Sequence, residues 1–269
     1  MRILFSASHP PKGDAAFGGV ASWIKTLSDE LSLHGHECVA WGPGLSVPEG
    51  RFDVGVISNA QRTSRVKKRC DRVLGVSHGI IAEEKPSPAI KTLFTSEEVM
   101  QYWAGDGSII RQPIDLRFWN PVGRDPKGLA VFYSYRSATN LHLETDAEAL
   151  GLSFLRINNV THLEARDYMR QASVVFATGR AALEAMACGA PTVILDHRGY
   201  NRSALCSDDL DEARRYNYSG RGGFRPRAGD GARLAKVAMA EQKPREYVER
   251  HHDVAAIATQ LLNEIRADA

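Results

Sequence analysis

At 269 residues, with 43% hydrophobic and 25% charged side chains, the chain can bury a core, which excludes disordered, collagen-like and fibrous classes. The length fits two small lobes better than one oversized domain. The 34 Lys and Arg stand against 32 Asp and Glu, a formal net charge of +2, so total charge gives no argument for nucleic acid, and any basic surface must be local. No apolar run reaches bilayer length, and Met1 to Ser8 leads into a strand without a cleavage region; the expected location is cytoplasmic. The cysteines Cys38, Cys70, Cys188 and Cys206 are widely spaced. They fit no zinc pattern and read as reduced and structural.

The first lobe opens with Arg2-Ile3-Leu4-Phe5-Ser6, an apolar run of the kind that forms a strand buried on both faces. After Gly18-Gly19, the residues Val20, Trp23, Ile24, Leu27 and Leu31 recur at helical intervals up to Gly35, a C′ glycine. Strand candidates follow at Glu37 to Trp41, Asp53 to Ile57 and Val73 to Val76. Strand and helix thus alternate, which predicts a doubly wound parallel sheet with ligands beyond its carboxyl ends. Gly18 and Gly19 would let backbone approach a phosphate at the start of the helix, although an ordinary tight turn uses the same glycines. His78, at a strand end, is placed to orient or deprotonate a hydroxyl; a histidine bonded into its loop is the plainer alternative.

Thr95-Ser96-Glu97-Glu98 starts a further helix as a capping box. The proline-bearing stretch from Ile109 to Pro121 marks the lobe boundary. The predicted organisation is 1–115 for the first lobe, 116–246 for the second and a C-terminal helix over 247–269 that can cross back to the first.

In the second lobe, strands are predicted at Leu129 to Tyr133, Leu152 to Leu155, Val174 to Ala177 and Thr192 to Asp196, with helices at Tyr168-Met169 and Ala181 to Ala187. The run Gly179-Arg180-Ala181-Ala182-Leu183-Glu184-Ala185-Met186-Ala187-Cys188-Gly189-Ala190-Pro191-Thr192-Val193 resembles the donor-binding signature of GT-B glycosyltransferases, particularly retaining family 4 (glycosyl transferases group 1). Gly18-Gly19-Val20, Thr95 to Glu98 and Gln112 to Phe118 resemble that family's other landmarks in the same order.

The resemblance implies an α/β fold of two Rossmann-like doubly wound lobes facing a cleft, a compact version of GT-B. It implies a nucleoside diphosphate sugar as donor substrate, no other cofactor and no bound metal. The implied reaction is transfer to an acceptor hydroxyl with retention. Glu184 would accept hydrogen bonds from the nucleotide ribose, and Arg136 would neutralise the diphosphate. Two family positions differ. The lysine expected about five residues after Arg136 is missing, with Arg180 as its replacement candidate, and Phe176 stands where the family has a second acid. Thr178 and Gly179, the latter through its amide, are the substitutes for sugar recognition.

Three other features leave their readings open. Asp208-Asp209 fits a metal site or, better, the acidic opening of a helix. The stretch 214–225 interleaves arginines with Tyr216, Tyr218 and Phe224, as for nucleic acid, or is a mobile surface loop. Arg62, Arg65, Lys67, Lys68, Arg69 and Arg72 form a basic patch on a predicted helix; a solvated face is the default, a polyanion or anionic membrane the alternative. Val254, Ile257, Leu261, Leu262 and Ile265 predict a final packing helix. His251 and His252, being adjacent on a helix, are poor joint metal ligands. Two rivals to a general glycosyltransferase stand: a phage-type enzyme glycosylating hydroxymethylated DNA bases, and a catalytically inactive nucleotide-sugar-binding protein.

Overall fold

In the computed structural model of the chain, which describes residues 1–12, 18–58, 63–133, 142–195, 205–206, 209–221, 223 and 227–267, the chain divides into two units. One comprises Met1–Pro113 with His252–Ala269, the other Ile114–His251.

In the first unit, β1 (Arg2–Ser6), β2 (Glu37–Trp41), β3 (Phe52–Ile57), β4 (Cys70–Ser77) and β5 (Thr92–Phe94) form a sheet in the order β2-β1-β3-β4-β5. Every pair in it is parallel. The helices are α1 (Gly19–Leu33), α2 (Thr63–Lys67) and α3 (Glu97–Tyr102), with a 3₁₀ turn at Ala82–Glu84. Along β1, Ile3 and Phe5 pack into one core cluster and Leu4 into another. Both faces of the strand are therefore buried, which is why its sequence is continuously apolar. β5, which the sequence reading did not separate from the helix after it, is a three-residue edge strand.

The second unit repeats the plan. β6 (Leu129–Tyr133), β7 (Ser153–Ile157), β8 (Ala172–Ala177), β9 (Thr192–Leu195) and β10 (Leu205–Cys206) take the order β10-β9-β8-β6-β7. The first four are parallel, but β10 runs antiparallel to β9, so this sheet is mixed at one edge. Its helices are α4 (Leu143–Glu148), α5 (His162–Gln171), α6 (Arg180–Ala187), α7 (Leu210–Arg215), α8 (Asp230–Glu241) and α9 (Pro244–His252), the last residue of α9 already belonging to the first unit. Thr161 caps α5 in a reciprocal box with Glu164. Val175 and Ala177 face one core, Val174 and Phe176 the other. Counted within each unit, both sheets read 2-1-3-4-5. The winding reverses beside the first strand of each, between β1 and β3 and between β6 and β8, and ligands of such sheets bind at that switch point.

The C-terminal segment is two helices rather than one. α9 stops at Asp253, and α10 (Val254–Ala267) buries Val254, Ile257, Ala258, Leu261 and Ile265 in the same cluster as Trp23, Ile24 and Leu27 of α1. His252, 1% exposed, meets the Gln112 carbonyl through Nδ1 at 2.9 Å. No described helix is long and apolar enough to cross a membrane.

Because Leu261 is fully buried between α10 and the first unit's core, Leu261→Ala should lower the unfolding free energy by about 2–5 kcal/mol, read by urea denaturation. A loss below about 1 kcal/mol would contradict the packing of α10 there.

Candidate functional sites at the two switch points

In the first unit, the carboxyl ends of the strands carry hydroxyls. Ser6 ends β1, Ser58 follows β3, Ser77 ends β4 and Thr95 follows β5; all are 1% exposed or less. The ladder continues through them, with the Ser58 amide donating to the Ser6 carbonyl (2.8 Å) and the Thr95 amide to that of Ser77 (3.1 Å). The Ser6 Oγ and Thr95 Oγ1 have no hydrogen-bond partner among the described residues.

His78 stands in this row. Its amide donates to Glu84 Oε2 (3.0 Å), while the Ser77 hydroxyl donates to the Glu84 carbonyl (2.8 Å), so the turn is fixed from two sides. Nε2 lies 3.1 Å from Ser58 Oγ, the ring meets Trp23 edge to face at 5.1 Å, and Nδ1 is buried with no partner among the described residues. Burial pushes the imidazole down to about 3. A ring held neutral in this way is a poor acceptor of a hydroxyl proton near neutral pH, so of the two roles read from the sequence the geometry favours orienting a hydroxyl. The result is a neutral ring with one nitrogen unpartnered among the described residues, suited to orienting a hydroxyl.

Trp23 brings the start of α1 to the same place. Gly18 is its N-cap, at φ +88°, and no side chain caps the helix. Among the described residues, neither glycine would meet an atom through an added Cβ, and Gly18 is required by its backbone angle. With no acid in the first turn, the amides of Gly19 and its neighbours carry the partial positive charge of a 15-residue helix.

In the second unit, β8 ends at Ala177 and α6 begins at Arg180 after Thr178 and a positive-φ Gly179 (φ +57°). The two donors expected to read a sugar are already engaged. The Gly179 amide donates to the Tyr218 carbonyl at 2.6 Å, and the Thr178 hydroxyl to the same oxygen at 3.1 Å. A ligand reaching either must displace Tyr218, a residue 1% exposed whose hydroxyl meets Tyr247.

Arg180 and Glu184 lie one turn apart on α6, Nε to Oε1 at 2.8 Å, with side chains 11% and 6% exposed. The expected phosphate contact and the expected ribose anchor are thus one ion pair. The carboxylate raises Tyr133 as well: burial, then the Glu184 charge, push that phenol up to about 12. Tyr133 ends β6 in register with Ala177, so Tyr133, Thr178, Arg180 and Glu184 gather at the switch point. Phe176 points away from them, into the core beneath α8, which explains why an apolar residue stands there.

Other sequence expectations are redistributed. Arg136, Arg62, Asp208, Phe224 and Arg225 lie outside the described residues. Asp209 caps α7 by accepting from the Glu212 amide (2.7 Å). In its described part the arginine-aromatic stretch is largely engaged, with Tyr216 half-buried. Tyr218 is buried, Arg214 engages His251 (2.8 Å) and Asp211, and Arg215 pairs with Glu212. The basic patch is not one helix face either, because α2 ends at Lys67 and Arg72 belongs to β4, where it donates to the Ile265 carbonyl. Cys188 is fully buried, its thiol pushed up to about 12, and burial likewise raises Cys38 and Cys70 to about 11. Among the described residues, no group of three or more His, Cys, Asp or Glu is arranged to hold a metal ion.

Sequence reasoning missed Tyr133, Tyr218 and the hydroxyl row. Its available signal was position alone: Ser6, Ser77 and Tyr133 are the last residues of buried parallel strands. In comparisons with known proteins, no protein-family model and no curated protein matches the chain.

The His78 environment makes stability depend on acid. An unfolded histidine protonates near 6.5, whereas the folded one stays neutral until about 3. This contribution is complete above about pH 6.5 and is lost as pH falls from there toward 3, by about 1.4 kcal/mol per pH unit. Urea denaturation at pH 7, 6 and 5 should therefore show a shallower acid decline in His78→Gln than in the wild type. Equal slopes would refute a neutral buried ring.

Proposed function

We propose that the chain is a GT-B glycosyltransferase, moving a sugar from a nucleoside diphosphate donor to an acceptor hydroxyl with retention. The observation that carries this reading is Glu184. It is a carboxylate 4% exposed, at the switch point of a Rossmann-like sheet, within the run that resembles the family's donor signature. Adjacent ribose hydroxyls are a natural partner for such a group, and a charge-assisted bond is stronger than a neutral one. Arg180 beside it supplies positive charge for the diphosphate, and the uncapped start of α1 is a second anion-receptive site.

The chemistry requires little of the protein beyond placement and charge. In a same-face displacement the acceptor oxygen bonds to the anomeric carbon as the bond to the diphosphate breaks. The departing phosphate takes the acceptor proton, and no protein nucleophile takes part. Positive groups near that phosphate stabilise the charge as it builds. His78, neutral and with Nδ1 unpartnered among the described residues, positions a hydroxyl. Retention and the donor class rest on the resemblance.

A second reading, a nucleotide-sugar-binding protein without turnover, is favoured by the engagement of Thr178 and Gly179 with Tyr218. Donor hydrolysis by the purified protein separates the two. The DNA-modifying alternative is weakened at Tyr218, which packs inward.

A thermal-shift panel of nucleoside diphosphates and their sugars should reveal a stabilising ligand. Glu184→Gln should weaken that ligand about tenfold or more while circular dichroism stays native, and unaltered affinity would sink the anchor role. With a turned-over donor, His78→Ala should cut kcat far more than it raises KM. Unchanged kcat would remove His78 from the site.

A further inference from the structure

Outside both switch points, the first unit has a cavity of about 380 Å³ lined by Trp41, Val47, Arg65, Lys68 and Arg69. Trp41 ends β2 and is 4% exposed, so it forms the floor, while Val47 is 53% exposed at the rim. Arg69 is braced, its Nη1 donating to the Pro48 carbonyl at 3.1 Å. Arg65 and Lys68 are exposed and have no ion-pair partner among the described residues.

Among the described residues, no acid lines the cavity. Between residues 63 and 72, five Lys or Arg stand against one acid, Asp71, and Asp71 is bridged to Arg51. Lys67 and Arg72 are turned to other partners, the carbonyls of Ala89 and Ile265. Among the described residues, three cations therefore line one concavity with no acid in its lining, an arrangement whose mutual repulsion a bound anion relieves.

We propose that this cavity binds a compact organic phosphate. Its phosphoryl oxygens would lie on Arg65, Lys68 and Arg69, and its organic body against Val47 at the rim. Guanidinium and ammonium groups suit phosphate oxygens, and the volume falls at the small end of ordinary ligand sites. The lining argues against two larger polyanions. A membrane surface would need several exposed apolar side chains beside the cations, and only Val47 is there; a nucleic-acid strand would need an exposed ring for stacking, and Trp41 is buried. The inference stands independently of glycosyl transfer.

The test is isothermal titration with glucose 6-phosphate and glycerol 3-phosphate, against glucose and glycerol. The proteins are the wild type, the double variant Arg65→Ala/Lys68→Ala, Val47→Glu, Glu184→Gln, and Lys127→Ala as an exposed control in the second unit. All the changes at the cavity are at exposed positions, and circular dichroism checks their fold. Saturable binding of a phosphate but not of its parent alcohol is expected. Affinity should fall tenfold or more in the double variant and in Val47→Glu, and stay unchanged in Lys127→Ala and Glu184→Gln. Absence of saturable binding to the wild type overturns the proposal, as does equal affinity in the double variant or loss in Glu184→Gln. Binding of a single strand of about 20 nucleotides, or of anionic phospholipid vesicles, through Arg65 and Lys68 without sugar-phosphate binding also overturns it. Nucleoside diphosphate binding lost only in Glu184→Gln reports on the donor reading separately.

Discussion

A strand buried on both faces has no tolerance for polar side chains until it ends. That constraint governs both units. In β1 the alternating residues Ile3, Leu4 and Phe5 fill two cores, and in β8 the residues from Val174 to Ala177 do the same. Each such side chain contributes about 1.5–3 kcal/mol of burial. Polar chemistry is displaced to the strand termini, where Ser6, Ser58, Ser77, Tyr133 and Thr178 collect. The switch-point topology then opens a gap between neighbouring crossovers at those termini.

Within that frame the two sites differ in how their polar groups are satisfied. The first unit leaves Ser6 Oγ, Thr95 Oγ1 and His78 Nδ1 buried and unpartnered among the described residues, a cost of about 1–3 kcal/mol for each such group. The second unit closes its polar groups on one another. The Tyr218 carbonyl takes both donors of the β8–α6 turn, and Arg180 takes Glu184. Removing either member of that ion pair would strand the other in a buried setting, so the pair serves packing as well as any ligand.

The alternation of strand and helix was legible because its causes are local. Apolar runs mark doubly buried strands, and glycines at positive φ, such as Gly18, Gly35, Gly179 and Gly189, mark helix boundaries. β10 was not legible, since a two-residue strand has no period. The interruption at Asp253 also escaped, because the apolar spacing on either side resembles one helix. At the sites, sequence named His78, Glu184 and Arg180 but could not show that the last two face each other. An i, i+4 pair on a helix is equally compatible with two solvated side chains. Tyr218 looked like an exposed aromatic because its neighbours are arginines; its burial comes from a left-handed turn at φ +53° after α7, which no composition rule anticipates.

The return of α10 to the first unit has a consequence for how the protein is made. Residues 114–251 form a self-contained core interposed within the other, and emerge from the ribosome complete while the earlier sheet still lacks the helix that covers Trp23 and Leu27. The unit encoded first is thus the last to finish. Until α10 has emerged, its uncovered apolar flank is the surface a chaperone would meet.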